Sequence, residues 1–236
     1  MDGKIMWRFA LFSWLLVLSS LAVGAQAQTE ATGARGIVSA PASSVVTFTL
    51  DFPGGQPDHY SIRVPGTGDA HYESSAQFNS GSDVVDNFDF AFAISPETRT
   101  RIFALTAKAG YFEKDLDAHR KNVAFTGKKI LRYTDASRSS EAVYNYSSDS
   151  AVEELTTLFQ NLSSTLEFGH RLDYDRRYQK LALNEDLKRM QEMGANSLLT
   201  DVNAIQPILE KIVADQSIIN VARARAQRLL KDSGGR

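Results

Sequence analysis

From Val45 to Ile94 the chain places apolar side chains at every second position in one stretch after another. That period commits its first half to a sheet with one buried face. Val46, Phe48, Leu50 and Phe52 share one parity and Thr47, Thr49 and Asp51 the other, so Val45–Phe52 reads as a half-buried strand that Pro53-Gly54-Gly55 ends. Tyr60, Ile62 and Val64 begin a second strand. Pro65-Gly66-Thr67-Gly68-Asp69 supplies turn chemistry, and Ala70–Glu73 returns as its partner. Ser74–Asp86 is polar and is expected to loop, after which Phe88, Phe90, Phe92 and Ile94 alternate again. Lys128–Tyr133 and Glu141–Tyr146 predict a hairpin around the polar turn Asp135–Ser140.

Between and after these strands the period lengthens to that of a helix. Ser95-Pro96-Glu97 is a helix start: a hydroxyl to accept an orphan amide, proline in the first turn, and a carboxylate at the positive end. Ile102, Phe103, Leu105, Thr106 and Ala109 then form the buried stripe, with Gly110 placed to terminate it. Ser150-x-x-Glu153 has the form of a capping box ahead of Leu155, Leu158, Phe159, Leu162 and Leu166. Asn184-Glu185-Asp186 predicts another cap, for a helix that Gly194 closes. Leu198–Asn203 predicts a further turn or two, and Pro207 opens a helix through Ile208, Leu209, Ile212 and Val213. The last helix follows Asp215 and carries Ile219, Ala222, Ala226, Leu229 and Leu230 on its apolar side.

The N-terminus reads as an export signal. Lys4 and Arg8 precede the apolar run Phe9–Val23, and Ala25-Gln26-Ala27 is a small-x-small pattern that predicts cleavage between Ala27 and Gln28. The run is shorter than the ~20 residues of a membrane-spanning helix and contains three serines, so no membrane span is expected after cleavage. Removing residues 1–27 takes away Asp2, Lys4 and Arg8 and moves the net charge from −2 to −3. Both tryptophans, Trp7 and Trp14, leave with it. Every remaining Phe and Tyr lies between Phe48 and Tyr178, which marks a change of character at residue 179. The expected layout is a signal over 1–27, a flexible leader over 28–44, an α+β domain over 45–178 and a helical region over 179–236. The fold class is α+β: an antiparallel sheet of four to six strands with helices on one face, followed by an all-helical C-terminal tail.

Composition removes several chemistries. With no cysteine, the chain has no disulfides, thiolate metal sites or thiol catalysis. An exported chain without disulfides suits a bacterial periplasm or exterior. The weak negative charge offers no basis for nucleic-acid binding. The lack of tryptophan after cleavage weakens a sugar-binding reading, because aromatic platforms are its usual basis.

Catalytic patterns fail one by one. There is no G-x-S-x-G. Gly127-Lys128 has Asn122 and Lys129 where a phosphate loop needs Gly and Ser or Thr, and His59, His71, His119 and His170 stand far apart. The sharpest constellation is Asp115-x-Asp117-x-His119, backed by Glu113. In an extended segment, alternate side chains point one way and could converge on a divalent ion, although Arg120 occupies the position of the calcium-loop glycine. The plainer reading is a wet connection whose charges Lys114, Arg120 and Lys121 balance. Asp83, Asp86 and Asp89 are spaced so that they do not all share a strand face. Arg223, Arg225, Arg228 and Lys231 make the last helix basic, which stabilises its C-terminal end without any partner. Asn145-x-Ser147 and Asn161-x-Ser163 match glycosylation sequons, which matter only in a eukaryotic secretory host.

The runs YSIRVPGTGDAHYES, ISPETRTRIFALTAKAGYFEKDLD, TGKKILRY, AVYNYSS and AVEELTTLFQNLSSTLEFG together resemble exported bacterial proteins of unknown function, over about Tyr60–Phe168. Tyr60, Gly68, Tyr72, Tyr111 and Phe112 carry that likeness, which implies a hairpin–helix–hairpin–helix order and an exported location but no reaction. QPILEKIVADQSIINVARARAQRLLK resembles a single HEAT-like helical pair. The leading expectation is a periplasmic or secreted non-enzymatic binding protein with no cofactor, whose partner is a protein or another envelope component. The alternatives are a metal-dependent hydrolase using Asp115, Asp117 and His119, and an inhibitor of a secreted enzyme presenting Pro65–Asp69 and Asp135–Ser140.

Overall fold

The computed structural model describes residues 41–77 and 85–234. The signal, its cleavage point at Ala27 and Gln28, nearly all of the leader, and Asp83 lie outside the described residues.

Six strands form one antiparallel sheet: β1 (Val45–Asp51), β2 (His59–Pro65), β3 (Ala70–Gln77), β4 (Val85–Phe92), β5 (Lys128–Thr134) and β6 (Ser139–Tyr144), in the spatial order β4-β3-β2-β1-β5-β6. β1 lies inside the sheet because both of its sides are taken. Val46 faces Val64 on β2 and Tyr133 on β5, and Phe48 faces Ile62 and Leu131. The even-numbered residues of β1 and β2 are buried and the odd ones are not, so the alternation in the sequence becomes one dry face and one wet face.

Two helices cover the dry face. α1 (Pro96–Lys108) starts where the sequence predicts, with the Ser95 hydroxyl accepting from the Thr98 amide, and Ile102, Phe103, Leu105 and Thr106 are buried beneath it. Gly110 follows its C-cap at φ +68°, a conformation that glycine adopts without Cβ strain. α2 (Ser150–Tyr178) buries Leu155, Leu158, Phe159, Leu162 and Leu166. The Phe159 ring stacks on Phe48 of the central strand at a centroid distance of 5.1 Å. In the helical region α3 (Leu183–Ala195), a short 3-10 turn at Val202–Ile205 and α4 (Gln206–Ala214) pack on α2, and α5 (Asn220–Gly234) packs on α3 and α4. One continuous buried core runs from Val46 of β1 to Leu229 of α5.

Several local expectations shift. Ser74–Asp86 is not all loop. β3 continues to Gln77 and β4 begins at Val85, because the Ser74 hydroxyl reaches a partner on α2 and the edge pairing extends through polar residues. The cap of α2 is Asp149, one residue before the expected Ser150; its carboxylate accepts from the Ala151 and Val152 amides. Asn184 lies inside the first turn of α3 and accepts from Arg225 on α5 instead of capping. The hairpin turn is shorter than expected, with β6 starting at Ser139. Ile219 is 44% exposed and its neighbour Ile218 is buried in its place, because the backbone ahead of α5 is not yet helical.

Candidate functional site: the open face of the sheet

The odd-parity residues of β1 and β2 and their register partners form the face that the helices leave open; none of those whose exposure is described is buried. The register arranges this face in rows. One row crosses five of the six strands: Glu141 on β6, Arg132 on β5, Thr47 on β1, Arg63 on β2 and His71 on β3. Thr47 therefore stands between two arginines, one on each neighbouring strand. Arg132 is tied to Glu141 through an Nε–Oε2 contact of 2.9 Å. The next row places Thr49, Ser61, Glu73 and Asp89 side by side. Between these side chains lies a shallow depression of about 400 Å³, with Thr47, Ser61, Arg63 and Arg132 in its lining. Hydroxyls, guanidinium groups and carboxylates side by side suit recognition of a polar partner through hydrogen bonds.

At the edge of the depression three metal-capable side chains meet. His71 Nε2 is 3.1 Å from Glu73 Oε1 and 3.4 Å from Asp89 Oδ1. His71 and Glu73 share a face because they are two apart on β3, and Asp89 is the direct cross-strand partner of Glu73. Among the described residues these are the three whose donor atoms all lie within 4.8 Å of one another. The alternating His-x-Glu was visible in the sequence. Asp89 was not visible as its partner, because only the β3–β4 register brings it there.

The expected constellation Asp115, Asp117 and His119 is also brought together, but as a hydrogen-bonded turn. Asp115 Oδ1 accepts from the Asp117 amide, and Oδ2 lies 2.7 Å from His119 Nε2. Asp117 accepts from the amides of His119 and Asn145. These bonds hold both carboxylates below the usual aspartate range, the His119 bond leading for Asp115 and the Asn145 amide for Asp117; the same Asp115 contact raises the His119 imidazole. The turn pins the segment to the chain just after β6, and its acids are engaged in that task. Glu113 points elsewhere, to Arg138 at 3.2 Å.

The four histidines do not converge. Each faces its own carboxylate: His59 with Asp51, His71 with Glu73 and Asp89, His119 with Asp115, and His170 with Asp86. Asp86 and Asp89 fall on opposite faces of β4, as their spacing predicts. The basic last helix has internal uses. Arg223 donates to the Val213 carbonyl near the end of α4, and Arg225 bridges Asn184 and Gln191 on α3.

A second depression, about 380 Å³, lies between the β1–β2 loop and α2, where Tyr60, Ser163, Glu167 and Arg171 meet the apolar Phe52 and Met193. No described helix is long and apolar enough to cross a membrane. No protein-family model and no curated protein matches the chain.

Proposed function

We propose that the chain is an exported, non-enzymatic binding protein of the bacterial envelope and that the open sheet face is its recognition surface. The observation that carries this reading is the row Arg132–Thr47–Arg63–His71, laid across four strands of a sheet whose other face is sealed by α1 and α2. A rigid sheet presents such a row with little entropy left to lose on docking, which favours binding. Export rests on the segment ending at Ala27. N-terminal sequencing of the purified protein tests it, with Gln28 as the expected first residue.

Site-specific photo-crosslinking in cells tests the surface. A crosslinker at Thr47 or Ser61 should trap one discrete partner, one at exposed Arg228 of α5 should not, and Arg63→Glu with Arg132→Glu should abolish the adduct. Equal trapping from both faces, or an adduct indifferent to the charge reversals, would refute the reading.

One observation favours a second reading, an inhibitor of a secreted enzyme. Val45 pairs with Pro65 on one side and Thr134 on the other, so the turns at Pro65–Asp69 and Asp135–Ser140 project from the same end of the sheet. Two adjacent loops on one rigid end are the geometry of a wedge. Arg99 on α1 braces the first through the carbonyls of Pro65 and Gly68. Crosslinkers at Thr67 and Ser137 distinguish this reading: an adduct there with a secreted hydrolase, and none from Thr47, supports it.

A further inference from the structure

We propose that His71, Glu73 and Asp89 form a divalent transition-metal site, with zinc the ion best matched to its donors. One imidazole and two carboxylates are nitrogen and oxygen ligands of the kind that zinc accepts in tetrahedral sites. In such a site, donors ~2.0–2.1 Å from the ion sit about 3.3 Å from one another. The separations of 3.1 Å from His71 Nε2 to Glu73 Oε1 and 3.4 Å to Asp89 Oδ1 already have that spacing.

The register supplies an independent reason for a cation. Glu73 and Asp89 are direct cross-strand partners on an antiparallel pair, where like charges oppose pairing. A divalent ion neutralises both carboxylates, whereas an imidazolium balances only one. Each donor also sits on regular β structure, so ligation needs side-chain rotation and no loop rearrangement. Three protein ligands leave the fourth position to water, facing solvent beside Arg63, the cross-strand partner of His71. Expected affinity is modest, since the site is exposed and the imidazole must be neutral to ligate.

The test is calorimetric titration of the purified, chelator-treated protein with Zn²⁺ at pH 7.5. One ion per chain is expected, with micromolar affinity. His71→Ala should abolish binding, and Glu73→Gln and Asp89→Asn should each weaken it at least tenfold. His119→Ala, which removes the imidazole of the Asp115–His119 turn, should leave it intact. Circular dichroism of each variant checks the fold, which surface substitutions on β3 and β4 should not disturb. No saturable binding, or binding lost with His119→Ala and kept with His71→Ala, would overturn the proposal. The recognition reading is tested separately, because its crosslinking readout depends on Arg63 and Arg132 and not on zinc.

Discussion

The phenol of Tyr72 on β3 donates a 2.6 Å hydrogen bond to Glu167 Oε1 on α2, joining residues 95 apart in the chain. The Ser74 hydroxyl donates to the same oxygen at 2.7 Å, and the Tyr72 hydroxyl also meets Ser163 Oγ at 2.9 Å. Burial and the adjacent carboxylate push the Tyr72 phenol far above its ordinary value, so it remains a donor at any working pH. This knot holds the edge half of the sheet to the long helix. Tyr72→Phe should destabilise the protein by about 1–3 kcal/mol, the range for a buried bond to a charged acceptor, read as a lower urea midpoint at unchanged slope. An unchanged midpoint would mean the knot contributes nothing.

Gly169 lets α2 and the helical region touch. A Cβ there would lie 2.5 Å from Ile205 Cγ2 and 3.2 Å from its Cβ, both on a stiff, fully buried side chain. Gly169→Ala should therefore cost about 1–3 kcal/mol, despite the better helix propensity of alanine, and lower the thermal midpoint by several degrees. A stabilised variant would show that the contact yields.

Asp175 should make stability depend on pH. It is 5% exposed on α2, and burial, reinforced by Asp186, pushes its carboxyl up to about 7. Its Oδ2 has no hydrogen-bond partner. A carboxyl whose folded value lies above its unfolded one binds its proton more tightly when folded. The stability it contributes is complete below about 4 and is lost as pH rises through about 7. Asp175→Asn should raise the melting temperature at pH 8 by a few degrees relative to wild type and change it little at pH 4. Paired thermal melts at the two values check this; an equal shift at both would reject it.

Lys129 shares the core-facing parity of β5 with Leu131 and Tyr133 and is only 4% exposed. Its ammonium is satisfied by the carbonyls of Thr126, Gly127 and Asn145 and by the Thr126 hydroxyl, at 2.8–3.3 Å. Lys129→Met should leave those carbonyls short of donors, cost about 1–3 kcal/mol, and speed amide exchange at Asn145 and Thr126 ahead of the rest of the sheet. Exchange that stays uniform would show that the ammonium does not clamp the loop.

Much of the fold was legible because its signals are local. Phe48 and Thr47 declare opposite faces by parity alone, and Ser95-Pro96-Glu97 starts its helix where those three residues dictate. The misreadings came where two local signals competed or where burial overrode one. Asp149 and Ser150 can both cap, and the carboxylate prevailed. Ser74 looks like loop, yet belongs to β3 because Glu167 receives its hydroxyl. Among the candidate metal ligands, the Asp115–His119 proximity could be read from spacing, but its use as a turn could not, since that depends on the Asn145 amide on the far side of a hairpin.

Parity, turn residues and helix caps are properties of a few consecutive residues, so the sequence by itself determined an α+β chain with a half-buried antiparallel sheet and a helical tail. Strand order and register depend on contacts between distant segments. Only the tertiary structure could place Thr47 between Arg63 and Arg132, or bring Asp89 to His71 and Glu73. The physical reason lies in the sheet itself. Each strand's pattern specifies which face is buried but not which strand lies beside it, and side chains on the open face acquire neighbours only when the pairing is chosen.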